Sequence, residues 1–198
     1  MRKFLPAAGL AVLALPLWAA PMTQGERDRA LSELHSSRKQ FLDAVEGLTA
    51  AQWNFKPDAQ TWSVAECAEH IALSEDLIFG GMVMKMMQGP AQPARREVAD
   101  EVVLTQLRDR SQKGKAPEVL QPKRKWANRD EVAAHFRESR DRTLDYVRET
   151  QEDVRGRFGK AALGNLDAYQ WILLVSAHSE RHTAQIREVM AHPQFPHR

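Results

Sequence analysis

The chain has little that could hold it together covalently. Cys67 is its only cysteine in 198 residues, so no intramolecular disulfide can form and stability has to come from packing. An excess of charge of either sign is lacking as well. Lysine and arginine number 28 against 26 acidic residues, and Arg2 and Lys3 fall in a leading segment, 1–20, that has no acid. The remaining chain is balanced, which removes the electrostatic warrant for a nucleic-acid partner. No internal repeat and no strand-like alternation is visible, so repeat and sheet architectures have no support.

Hydrophobic runs are short except at the start, MRKFLPAAGLAVLALPLWAA. Two basic residues, an apolar stretch and small residues at Ala19 and Ala20 make the layout of a cleaved export signal. Pro6 and Pro16 interrupt the stretch, and its length sits at the short end of what crosses a bilayer. Residues 1–20 are therefore read as a signal peptide and 21–198 as one domain, periplasmic or secreted. No stable membrane span is expected after cleavage, and without a nearby cysteine no lipid anchor is expected.

What is present is helical. Thr23 with Glu26, Ser63 with Glu66, Asn128 with Glu131 and Asp167 with Gln170 are helix-start pairs, in which the first side chain accepts from the helix and the fourth residue reaches back. Apolar residues recur behind each at three- and four-residue steps. The spacing predicts helices over about 24–48, 63–87, 129–150 and 168–191. Four such helices make an all-α, four-helix bundle. A long crossover of about 40 residues separates the second from the third. Val98, Val102, Val103 and Leu107 suggest a short helix within it. The basic stretch from Arg108 to Arg129, with Lys113, Lys115, Lys123, Arg124 and Lys125, reads as solvated, open connection. A helix of about 24 residues spans roughly 36 Å, so a chain that returns this distance between neighbours gives an up-down-down-up order.

His178 and His182 lie on one face of the last helix, about 40° apart. His70 lies on the buried stripe of the second helix, seven residues after its cap. Three inward imidazoles from two helices are the donors of a bundle metal site, although a histidine satisfied within the core gives the same pattern. The zinc-protease motifs are absent. The string is H-S-E-R-H, and Glu180 is 200° round the helix from His178, so it faces away. His35, His135, His192 and His197 fall off this face or in the tail.

The segments TWSVAECAEHIALSE and DAYQWILLVSAHSERHTAQI resemble the DinB-like (DinB/YfiT) superfamily. The resemblance implies a four-helix bundle with this crossover. It also implies a metal triad at His70, His178 and His182 holding zinc, nickel or iron. The ligand set does not choose among these metals. Characterised members include thiol-dependent transferases and isomerases. An exported protein meets few reduced thiols, so a metal-dependent hydrolase is the other enzymatic expectation.

Cys67, one turn before His70, offers a fourth ligand or a small core side chain. The run MVMKMM (82–87) reads as core filler. No general base stands out: Glu66 and Glu69 are near His70 in sequence, but Glu66 is committed to a cap. The non-catalytic alternatives are a metal-stabilised or metal-buffering bundle and an interaction module built on Trp53, Phe55 and Trp62. The partners expected are a small-molecule substrate and a second copy of the chain.

Overall fold

A computed structural model describes residues 21–92, 96–111 and 114–197. The segment read as an export signal lies outside them, as does Lys113. The helices are α1 (Gln24–Val45), α2 (Ala50–Asn54), α3 (Val64–Glu75), α4 (Met84–Met87), α5 (Asp100–Arg108), α6 (Arg129–Glu149) and α7 (Ala168–Met190). A π-helical stretch, Asp76–Val83, joins α3 to α4 without a break. The four long helical segments pack as an α-helical bundle, with α1 and α3 each lying against both α6 and α7.

The expected starts are where the sequence puts them. Reciprocal capping pairs form at Thr23, Ser63 and Asp167, and Asn128 accepts from the backbone of Glu131. A further capping box, Thr49 with Gln52, starts the short α2. The first helix ends at Val45 rather than near 48, because Gly47 turns left-handed at φ 67°, a conformation glycine adopts without cost.

The strand-free expectation is corrected by a small hairpin. Phe158–Ala161 (β1) pairs antiparallel with Gly164–Asp167 (β2), Phe158 opposite Asp167. Gly159 is where the hairpin meets the bundle: a Cβ there would lie 2.6 Å from Met86 Sδ and 3.2 Å from Trp171 Nε1. Met87 is buried, and Met82, Met84 and Met86 pack beside the core, so the methionine run does fill space.

The short helix expected in the crossover is α5, and the basic stretch after it is open except for one docked turn. α5 buries Val103 and Leu104 against α7. With α1, α3 and α5 around it, α7 is buried on all sides from Ala168 to Ala177, which is why that stretch is apolar all round. Arg108 forms ion pairs with Glu33 of α1 and Glu180 of α7. A 3₁₀ turn, Glu118–Leu120, buries Leu120 against α3. The side chains of Lys115, Lys123, Arg124 and Lys125 are exposed as expected.

Candidate metal centre and its pocket

The packing of α3 on α7 brings three histidines together. One ring nitrogen each from His70, His178 and His182 lies within 4.8 Å of the other two. Ring centroids are 4.3 Å apart for His70 and His182, 4.6 Å for His178 and His182, and 5.0 Å for His70 and His178. Among the described residues this is the one group of three or more His, Cys, Asp or Glu placed to hold an ion.

Hydrogen bonds around the rings decide which nitrogens face inward. His70 Nδ1 lies 2.8 Å from the carbonyl oxygen of Leu120. A carbonyl only accepts, so Nδ1 carries the proton and Nε2 the lone pair. His182 Nδ1 lies 2.9 Å from Gln185 Oε1. Arg110 Nη1 donates to the same oxygen at 3.4 Å, which fixes the amide orientation and leaves His182 Nε2 unprotonated, its lone pair free. The two Nε2 atoms then stand 3.2 Å apart, lone pair toward lone pair. His178 Nδ1 is buried with no hydrogen-bond partner. Facing lone pairs are costly in a bare protein, and a cation between the rings relieves that cost. The residues fit a metal ion. The tethering of the ligands' far nitrogens is the outer support that such sites have.

Burial keeps the three rings neutral. His70 is held below its ordinary value by desolvation, against the pull of Leu120. His178 lies well below it, through burial and then its two histidine neighbours and Arg181. His182 is pushed down to about 3 by burial and by His70, with Arg110 and Arg181 adding to the effect and Gln185 opposing it. Neutral imidazole is the form that ligates a metal.

The rings line a pocket of about 860 Å³. Trp62 forms a wall, its ring 5.0 Å from that of His70 and 6.3 Å from that of His182. Pro117, Leu120, Arg110, Arg181, Gln185 and Glu188 line the pocket too.

Several expected candidates go elsewhere. Cys67 is fully buried in the apolar core and does not join the group. Glu66 caps α3 and pairs with Lys56, and Glu69 accepts from the backbone of Lys123 and Lys125. Glu180 pairs with Arg108, away from the rings. His35 lies near Arg148, and His135 is held by Asp76. His192, read as a tail residue, stands on the pocket lining, but outside the triad. Trp53 is buried and Phe55 packs on Phe195, so the aromatic connector is largely spent inside the fold.

Sequence reasoning missed Leu120, Gln185 and Arg110, and it assigned Trp62 to an interaction surface rather than to the pocket wall. Only Gln185 carried a local signal, one turn after His182 on the same helix.

The sequence profile of the DinB superfamily matches residues 33–186, a span that holds all three histidines. The chain belongs to the DinB superfamily. This DinB-superfamily chain is also 25% identical over 168 residues to a Bacillus subtilis (strain 168) protein described as "Uncharacterized protein YuaE". That similarity covers 80% of this chain and 96% of the relative. No solved structure matches it.

Proposed function

We propose that this DinB-superfamily protein binds one divalent transition metal (zinc, nickel or iron) through His70, His178 and His182, and uses it on a small molecule. The observation that carries the reading is two rings tethered through Nδ1 whose Nε2 atoms stand 3.2 Å apart, with His178 completing the group. When bound, such an ion supplies a Lewis acid that activates water or a thiol. Three neutral ligands leave a coordination position open, and the pocket lies beside it.

The chain's own residues do the rest. Leu120 and Gln185 hold the rings in register, and Trp62 excludes water from one side of the site. Neither Glu66 nor Glu69 is placed to move a proton. The reaction class is metal-dependent hydrolysis or transfer. Hydrolysis is favoured if the chain is exported from a signal at 1–20, where reduced thiols are few. The same reading takes the bundle as up-down-down-up. Its support lies in contact pairs. Arg27 meets Val147 and Phe41 meets Phe136, whereas Asp76 meets His135 and Phe79 meets Tyr146.

A purely structural metal would need a closed site. Cys67 is the natural fourth donor and is not within reach, so the catalytic reading is preferred. Metal analysis of the wild type and of His70→Ala, His178→Ala and His182→Ala tests the proposal. One ion per chain in the wild type and sharply lower occupancy in each variant is expected. Full occupancy in a His178→Ala/His182→Ala double variant would refute it.

A further inference from the structure

We propose that the pocket takes a small organic carboxylate, its charge held by Arg110 beside the histidines and its apolar body lying against Trp62. The proposal rests on the metal reading and names the ligand class that reading leaves open.

Arg110 reaches the pocket from the crossover just after α5. Its guanidinium forks onto Glu188, Nε to Oε1 and Nη2 to Oε2, both at 2.7 Å. Nη1 turns toward Gln185 Oε1 at 3.4 Å, the longest of the three contacts. The same oxygen orients His182, so the guanidinium stands one side chain away from the triad. Arg181 follows on the same lining and donates to the carbonyls of Leu107 and Asp109. Those bonds tie the end of α5 to α7 and thereby place Arg110.

The charges do not cancel. The lining holds Arg110, Arg181 and Lys115 against Asp58 and Glu188. Asp58 is engaged by the backbone of Gln60 and Thr61 and by the Thr61 hydroxyl. Glu188 is engaged by Arg110. The three metal-site donors are neutral histidines with no carboxylate among them. A divalent ion here would face no anionic protein ligand, which leaves the balancing charge to the molecule that enters. Glu188 shows what the guanidinium accepts: a carboxylate, in a planar two-point fork. It is an exposed tenant, with 56% of its side chain accessible, so an incoming carboxylate can compete for the fork. Trp62, Pro57, Pro117, Leu120 and Val189 give the pocket an apolar side, which suits an organic body better than a bare inorganic anion.

The test uses the full domain loaded with cobalt(II), whose visible absorption reports ligands at the metal, together with tryptophan fluorescence. Benzoate, benzamide and inorganic phosphate are the probes. Benzoate and benzamide share a shape and differ in charge. Benzoate should bind roughly tenfold or more tightly than benzamide, the scale of a charge-assisted pair. Arg110→Gln should lose that advantage, and Glu188→Gln, which removes the competing carboxylate, should strengthen benzoate. Circular dichroism checks each fold. If Arg110→Gln unfolds, Arg110→Lys keeps the charge without the fork and should weaken benzoate. Equal binding of benzoate and benzamide, undiminished binding in both Arg110 variants, a weaker Glu188→Gln, or phosphate binding more tightly than benzoate would each overturn the proposal. Failure of the wild type to take up cobalt overturns the metal reading and this proposal together. One cobalt per chain with no charge preference overturns this one alone.

Discussion

Arg140 of α6 and Glu75 of α3 form a buried fork, Nε to Oε2 at 2.9 Å and Nη2 to Oε1 at 2.5 Å, with both side chains essentially inaccessible. Nη1 also donates to the Leu34 carbonyl and the Ser37 hydroxyl of α1, and Nη2 to the Ser179 hydroxyl of α7. All five donors of one guanidinium are thus used, on three helices besides its own. Ser179 is the next residue after His178, so the clamp and the histidines share one stretch of α7.

Arg140→Met should destabilise the domain by about 3–5 kcal/mol, because it leaves Glu75 charged and buried without its partner. Urea unfolding measures it. The double variant Arg140→Met/Glu75→Leu should recover much of the loss, since no uncompensated charge remains. A double variant as unstable as the single one would show that the hydrogen bonds to α1 and α7, rather than the charge, carry the effect.

Gln185 orients His182 without being one of the three metal donors. Gln185→Leu should lower metal affinity by about 10–100-fold, the usual cost of losing such outer support. Its unfolding midpoint in the metal-free form should stay near that of the wild type. Competition against a chromophoric chelator gives the affinity. An unchanged value would mean that His182 does not depend on this bond.

Cys67 is sealed in the core, and burial pushes its thiol well above the ordinary range. The thiolate is the reactive form. Iodoacetamide at pH 8 should therefore leave native protein unmodified and label it fully in denaturant. Cys67→Ala should bind as much metal as the wild type. A drop in metal content would make the cysteine a ligand after all.

Acid should loosen the hairpin end of the bundle. Burial would raise the Glu26 carboxyl, but the Thr23 backbone and Arg155 outweigh it and hold it below its ordinary 4.5. Asp100 is likewise held below 3.8 against burial, chiefly by Arg155. A depressed carboxylate adds stability that is present above its unfolded pKa and lost as pH falls through the folded one. That contribution should therefore fade below about pH 4.5. Asp167, raised by burial despite Arg155, acts in the opposite sense: its ionised form is a cost at neutral pH. Arg155→Ala should destabilise the domain at pH 7 and flatten its stability profile below pH 5, as followed by thermal unfolding across pH. An unchanged profile would count against the cluster.

The parts of this molecule legible in the sequence are those written locally. Capping pairs announce helix starts by chemistry within four residues, and apolar periodicity announces the buried face. His70, His178 and His182 were legible because they sit on those faces. Arg140 and Glu75 were not, since a charged residue at a buried position looks like a surface residue until its partner on another helix is known. The hairpin was missed because two four-residue strands joined through Ala162 and Leu163 carry too little alternation to register. The π-helical stretch was missed because a wider turn keeps nearly the same apolar pattern as an α-helix. Leu120 acts through its carbonyl, which no side-chain pattern encodes.

The bond from His70 to Leu120 joins residues 50 positions apart, and the contact from His70 to His182 spans 112. Helices form from near neighbours, whereas contacts at these separations wait for long loops to close. The consequence is an order of events. Helical signal on refolding should return ahead of metal capacity, because the crossover has to dock before His70 is turned to its working orientation. Until then the chain is a bundle whose histidines are present but not yet aimed.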